Sequence, residues 1–195
     1  MSRLIDLVRG WPGKPSHPPL TDASIGAYTA GVVMLVAGAL GLEERQMAHG
    51  ALIAISVGLL LAVPTAVTGL LDWLQLDAGT PRRTVATLHL LTMVAATLVF
   101  AGARLAQRPG YLDGRIETLG LWLGVGAELL LTLGGYLGGA LVFAYGVRVL
   151  GKPEAPIRDA VIPGRLGPET PGSSDPGPAE RRNNEANRME VRNER

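Results

Sequence analysis

The chain has 195 residues, a formal net charge of +1 and no cysteine. This length allows one domain of ordinary size and a tail. The lack of cysteine excludes disulfides and thiolate metal sites within the chain, and the near-neutral charge offers no basic stripe for nucleic acid. Charged residues are sparse between residues 23 and 147 and frequent after Gly151, so the two parts need separate interpretation.

The first 22 residues precede the long apolar runs and form a separate N-terminal segment. Over Ser2–Trp11, apolar residues recur at helical spacing, with Arg3 and Arg9 elsewhere on the helical wheel. This pattern predicts a short helix in the headgroup layer, and a frayed terminus is the alternative. Residues 1–22 are therefore predicted to be an interfacial segment.

Four apolar runs follow, each long enough to cross about 30 Å of hydrocarbon. The predicted spans cover about residues 23–42, 48–71, 85–105 and 118–147. In lipid no water satisfies an open backbone, so these spans should be helices. Between the third and fourth spans a water-facing turn is predicted over Gln107–Arg115. We predict an all-α fold, a four-helix transmembrane bundle over residues 23–150.

The C-terminal part, residues 151–195, is rich in Pro, Gly, Asn and charge and poor in large apolar residues. Such a segment cannot bury enough surface to offset its chain entropy. It is predicted to be a disordered charged tail.

Helix association in lipid depends on close packing, because lipid tails are as apolar as leucine. The last span carries two overlapping small-xxx-small pairs, formed by Gly134, Gly135, Gly138 and Gly139. They predict tight helix packing, either inside the bundle or in a homo-oligomer. No inverted repeat is detectable in the sequence.

Basic residues near the spans are unequally divided between the two sides of the membrane. Four spans put both termini on one side, which also receives the loop between the second and third spans. Nine basic residues lie on that side and four on the other: Arg3, Arg9, Lys14, Arg82, Arg83, Arg148, Lys152, Arg158 and Arg165, against Arg45, Arg104, Arg108 and Arg115. The excess predicts an inner (plasma) membrane protein with both termini in the cytoplasm.

The same topology brings polar residues from all four spans to the cytoplasmic side, whereas His49 lies on the opposite side. The candidate polar cluster contains His17, Asp22, Asp72, His89, Tyr145 and Arg148. Three interpretations stay open: a structural hydrogen-bonded cluster, a site for a haem, metal ion, quinone or proton, and a surface for partner docking. His17 and His89 are the metal-ligand candidates.

Glu128 lies about ten residues inside the last span, where an ionised carboxylate is costly. It should be protonated or paired inside the bundle, with Thr or Tyr hydroxyls as candidate partners. A proton relay is one hypothesis, and snorkelling to the outer interface is the other.

Several motifs together resemble a bacterial membrane family, Domain of Unknown Function 2231, over residues 15–150. They are His17–Asp22 with Ile25-Gly26, Val63-Pro64, Gly69–Trp73, Leu88-His89 and Gly138–Val147. The resemblance implies a four-span bundle without an established activity, and a Rieske-type iron–sulfur protein as a redox partner. Where the family carries a second in-bundle histidine this chain has Tyr145, so a haem b would depend on His89 with His17, or with Tyr145 as axial ligand.

Two functional hypotheses follow. The first is a non-enzymatic scaffold or accessory membrane subunit, in keeping with the absence of P-loop, His-Glu-x-x-His and Gly-x-Ser-x-Gly motifs. The second is a membrane redox or proton-handling protein that binds haem, metal or quinone at the His/Asp cluster. A transporter is less favoured, since four spans are few and Glu128 is the only charged residue well inside them.

Overall fold

The computed structural model describes residues 8–11, 14–151 and 154–162. Four long helices dominate: α1 (His17–Ala39), α2 (Glu44–Trp73), α3 (Pro81–Asp113) and α4 (Thr118–Phe143). Two short strands, β1 (Gly10–Trp11) and β2 (Lys14–Pro15), pair antiparallel before α1. A five-residue helix, α5 (Ile157–Val161), follows α4. The prediction of an all-α four-helix bundle is confirmed.

All four long helices are apolar and long enough to cross a membrane. Most of the predicted tail, residues 163–195, lies outside the described residues. In the described remainder, α5 begins directly after Pro156 and buries none of its residues.

The helix ends differ from the predicted spans at several points. α1 begins at His17, six residues before the predicted span, because Pro18 and Pro19 occupy the first turn, where no backbone N–H bond is lost. α4 already ends at Phe143, and the chain after it turns through Gly146 and Arg148, which both have positive φ.

Of the turn predicted over Gln107–Arg115, the part up to Asp113 was wrong, because α3 continues through Pro109 and ends at Asp113; the chain does turn at Gly114 and Arg115. The buried Gln107 amide explains the position of the turn. Its Nε2 donates to the Arg115 carbonyl (2.9 Å) and its Oε1 accepts from the Glu117 amide (2.9 Å). One side chain thus satisfies backbone groups of the loop and of the start of α4.

The helices form two hairpins, α1 with α2 and α3 with α4, that face each other across one core. At its centre the rings of Tyr28 and Phe100 stack, with centroids 4.0 Å apart and an interplanar angle of 5°. Leu35, Ile55 and Leu131 pack in the same cluster.

The two hairpins repeat each other. Positions 72 residues apart are buried in both α1 and α3, and positions 69 residues apart are buried in both α2 and α4. The pairs are Ser24/Ala96, Tyr28/Phe100, Gly31/Ala103, Leu35/Gln107 and Gly38/Gly110, then Ala51/Gly120, Ile55/Gly124, Gly58/Ala127 and Thr65/Gly134. Since α1 and α3 run in the same direction, this repeat is parallel, with its axis along the membrane normal.

Glycine permits the close approach of α1 to α2. A Cβ at Gly31 would lie 2.6 Å from Ile55 Cγ1 and 3.3 Å from the Ala51 carbonyl oxygen. A Cβ at Gly26, on the same helix, would meet no atom of the described residues within 4 Å. Gly31 is therefore required by packing, whereas Gly26 is not.

We expect Gly31→Ala to lower the free energy of unfolding by about 1–3 kcal/mol, because the added methyl group overpacks the α1–α2 contact. Gly26→Ala is the matched control, since both changes have the same effect on helix propensity. Unfolding in mixed micelles with increasing dodecyl sulfate measures both. Equal stability of the two variants would contradict the packing.

Candidate functional site

Asp72, at the end of α2, holds the segment that precedes α1. Arg9 Nε and Nη2 both lie 2.9 Å from Asp72 Oδ1, and Arg148 Nε lies 3.6 Å from the same oxygen. Arg148 Nη2 also donates to the carbonyls of Arg9 (2.8 Å) and Gly10 (2.9 Å). One carboxylate with two arginines therefore attaches the β1–β2 hairpin to the end of the bundle.

Gly10 is required in this hairpin. Its φ is +77°, and a Cβ there would lie 2.8 Å from the Ser16 amide nitrogen. Of the helix predicted over Ser2–Trp11, residues 2–7 lie outside the described residues. At Gly10 and Trp11 the prediction was wrong, because these residues pair with Lys14 and Pro15 as strands.

The link from α2 to α3 is also closely bonded. The Arg83 guanidinium lies 3.5 Å from the centroid of the Trp73 ring and donates to the carbonyls of Trp73 (2.6 Å) and Leu76 (2.7 Å). Trp73 Nε1 donates to Thr87 Oγ1 at 3.0 Å. These bonds fix the start of α3 against the end of α2.

Beneath the β1–β2 hairpin, a cavity of about 330 Å³ runs between the helices. Its walls are mainly apolar, and polar groups gather at the end next to the β1–β2 hairpin, which we call the hairpin end. The larger polar and aromatic side chains of its lining are His17, Asp72, Trp73, His89, Arg148 and, on the deep side, Tyr28, and four hydroxyl side chains also line it. An apolar cavity with a few convergent polar groups is the usual form of a small-molecule site.

His17, at the start of α1, lies against α2. Its Nδ1 is 3.0 Å from the Thr65 carbonyl and 3.3 Å from Thr68 Oγ1. A Cβ at Gly69, one turn after Thr65, would lie 2.7 Å from His17 Cε1. The imidazole thus needs a glycine beside it.

His89 repeats this arrangement in the helix pair α3–α4. Its Nδ1 lies 2.8 Å from the Gly134 carbonyl, and a Cβ at Gly138, one turn further, would lie 3.1 Å from His89 Cε1. The centroids of the rings of His17 and His89 are 6.4 Å apart, with an interplanar angle of 88°. The internal repeat therefore brings two equivalent histidines together at one end of the cavity.

These bonds define which ring nitrogen carries the proton. A carbonyl oxygen only accepts, so Nδ1 of each neutral imidazole is the donor and Nε2 keeps its lone pair. Thr21 Oγ1 lies 3.4 Å from His17 Nε2, but its hydroxyl donates to the His17 carbonyl at 2.9 Å. Both Nε2 atoms can therefore accept a hydrogen bond or a proton, or bind a metal.

Four of the six residues of the candidate polar cluster line the cavity, namely His17, Asp72, His89 and Arg148. Asp22 and Tyr145 do not. Because α1 is already helical at His17, Asp22 is rotated by about 140° around the helix axis and is exposed. Tyr145 follows the end of α4 and is 40% exposed. Sequence reasoning placed His17 in the N-terminal segment before the first span, whereas it is the first residue of α1.

Glu128 lies at the contact between α1 and α4, away from the cavity. Thr29 Oγ1 donates to its Oε1 at 2.8 Å, and among the described residues its buried Oε2 has no partner. His49 lies at the opposite end of the bundle, where its ring contacts Tyr111 with a centroid distance of 4.7 Å.

The four glycines of α4 divide into two pairs. Gly134 and Gly138 face α3, where a Cβ would meet Met93 and His89. A Cβ at Gly135 would meet nothing within 4 Å, and one at Gly139 only the ring of Phe143 at 4.0 Å. Only the first pair serves packing within the bundle.

Sequence reasoning missed the partners of the cluster. Arg9 was not paired with Asp72, Gly10 was assigned to a helix, and Thr65 and Gly69 were not connected with His17. A signal was present in the spacing: His17 precedes Tyr28 by as many residues as His89 precedes Phe100.

His17 and His89, the two candidate metal or cofactor ligands, both line the cavity. In the described part of the chain, no group of three or more His, Asp or Glu residues could hold a metal ion. The histidine chemistry suits an axial haem ligand, because ligating histidines commonly donate their second nitrogen to a carbonyl. The volume of the cavity does not suit a haem. At about 330 Å³ it is at the lower end for small-molecule pockets, and a porphyrin needs more room.

Fold and composition define a multi-pass helical membrane protein in contact with the lipid bilayer. The chain belongs to the family described as predicted membrane protein (DUF2231), whose model matches residues 13–151. The matched region contains the four long helices and the cavity. Searches of curated proteins and of solved structures found no match.

We expect Asp72→Asn to release the β1–β2 hairpin, because Arg9 and Arg148 would lose the carboxylate that pairs with both. Hydrogen–deuterium exchange of the Ser16 amide, which donates to the Arg9 carbonyl at 3.0 Å, should become about tenfold faster. Asp77→Asn is the control, since within the described part of the chain the Asp77 carboxylate forms no bond other than an exposed ion pair with Arg82. Unchanged protection of Ser16 in Asp72→Asn would contradict the role of Asp72.

Proposed function

We propose that this protein is a membrane redox or proton-handling component that binds a small lipophilic hydroxyl compound of the hydroquinone class in the cavity. One observation carries the proposal. The Nδ1–H groups of His17 and His89 both donate hydrogen bonds to helix carbonyls, which leaves two Nε2 acceptors beside an apolar cavity.

The chemistry of these acceptors selects the ligand. A neutral imidazole whose Nε2 is unprotonated accepts from a hydroxyl and does not donate to a quinone carbonyl. A hydroquinone supplies hydroxyl donors on a flat apolar ring, which suits walls that include Leu59, Met93 and the Trp73 side chain. The histidines would also accept the protons that a hydroquinone releases when it is oxidised.

Location and partners are part of the same proposal. We propose the inner membrane of a bacterial cell, with both termini in the cytoplasm and the His17/His89 end on that side. The family resemblance favours a Rieske-type iron–sulfur protein as the electron acceptor. The alternative, a scaffold or accessory subunit, predicts that the histidines contribute to stability without binding a ligand.

We expect His17→Phe and His89→Phe each to weaken binding of trimethylhydroquinone by about tenfold, because each removes one hydrogen-bond acceptor. Equilibrium binding of the tritium-labelled compound to the protein in lipid nanodiscs under argon measures the loss.

His49→Phe is the matched control for these variants, since His49 lies at the other end of the bundle, and its binding should stay within about twofold of the wild type. Thermal midpoints of all three variants show whether the fold is retained. Absence of specific binding to the wild-type protein would reject the hydroquinone proposal and leave the scaffold hypothesis.

The proposed orientation has its own test. Arg9, Arg83 and Arg148 lie around the hairpin end, which agrees with the excess of basic residues on that side. A fluorescent protein fused after Arg195 should be fluorescent in the cytoplasm. Alkaline phosphatase activity at the same position would refute the orientation.

A further inference from the structure

One wall of the cavity is formed by side chains that also face the outside of the bundle. Val63 and Ala66 on α2, and Val94 and Leu98 on α3, line the cavity and are exposed. The exposed fractions of Val63 and Leu98 are 64% and 67%. We call this opening between α2 and α3 the lateral gap; its four residues are apolar.

The depth of the lateral gap shows what it faces. With a rise of 1.5 Å per residue, Val94 and Leu98 lie about 8 and about 14 Å further along α3 than His89. Positions so far inside an apolar helix face the hydrocarbon region and not the headgroups. The gap therefore opens onto lipid chains.

The water-facing end of the cavity is covered instead. Pro15 of the hairpin, Val147 and Arg148 line the cavity there, and Asp72 holds them through its two arginines. A ligand that came from the aqueous phase would have to displace these ion pairs.

Local features of α2 favour a bend beside the gap. Pro64 lacks a backbone N–H, and the hydroxyls of Thr65 and Thr68 bond back to the carbonyls of Leu61 (2.8 Å) and Pro64 (3.0 Å).

By the internal repeat, the equivalent of the lateral gap is the contact between α4 and α1. There the Glu128–Thr29 hydrogen bond joins the two helices, and the equivalent of Glu128 is the apolar Leu59.

We propose that the ligand reaches the cavity laterally from the bilayer, and that it carries a single long hydrocarbon tail that leaves through the lateral gap. This inference rests on the proposed function, because it places the hydroxyl-bearing ring at His17 and His89. The ligand class is thus a membrane-dissolved hydroquinone with an alkyl or prenyl chain. A prenyl chain of several isoprene units exceeds the room that a cavity of about 330 Å³ leaves beside the ring, so such a chain extends out through the lateral gap.

The test compares two tritium-labelled ligands with the same ring, trimethylhydroquinone without a tail and with a ten-carbon alkyl tail. Binding is measured in lipid nanodiscs and referred to the ligand concentration in the lipid, so that partitioning into the bilayer cancels. We expect the wild type to bind both within about threefold, since a tail in the gap exchanges one apolar environment for another.

Val63→Phe and Val94→Phe, alone and together, narrow the gap. In the double variant we expect at least about tenfold weaker binding of the tailed ligand and a change of less than about twofold for the tailless one. Val67→Phe is the matched control, because Val67 is equally a lipid-exposed valine of α2 but does not line the cavity.

Three outcomes would overturn the inference. In the first, the tailless ligand binds the wild type and the tailed ligand does not. In the second, the gap variants weaken the binding of both ligands equally. In the third, a phospholipid co-purifies with the protein and the tailed ligand does not displace it. In each of these, histidine-dependent binding of the tailless ligand would leave the proposed function standing. If neither ligand binds the wild type, the proposed function itself fails.

Discussion

The hydrogen bond from a histidine Nδ1 to a helix carbonyl is the interaction on which the cavity depends. An imidazole inside an apolar bundle needs a partner, because an unsatisfied polar group there is costly. His17 and His89 find theirs at Thr65 and Gly134, and a glycine one turn further leaves space for each ring. The same bonds leave Nε2 free, so the interaction that makes burial tolerable also provides the chemistry.

The parallel repeat explains why this arrangement occurs twice. Two hairpins related by an axis along the membrane normal bring equivalent residues together near that axis. Tyr28 therefore stacks on Phe100 in the core, and His17 meets His89 at the end. The two halves differ at the contacts between them. Glu128 joins α4 to α1, whereas Leu59 and Val63 line the cavity where α2 faces α3.

The Asp72 cluster adds the second constraint. Its two arginines come from before α1 and after α4, so both ends of the chain's membrane region are attached to the end of α2. Such an ion pair at the boundary of the membrane is only partly screened by water. With the aqueous end covered in this way, the apolar gap between α2 and α3 becomes the access route that we propose.

The sequence by itself determined the four helices, because uncharged runs of about 20 residues have no other stable form in lipid. It also indicated His17, Asp72, His89 and Arg148 as neighbours, because the alternation of spans assigns each residue a depth. It could not assign directions around a helix at an uncertain boundary. Asp22 and Tyr145 share that depth but lie outside the cavity, since α1 begins at His17 and α4 ends at Phe143. Only the tertiary structure decided that Arg9 pairs with Asp72 and that glycines adjoin both imidazoles, because these contacts join residues 45 or more positions apart.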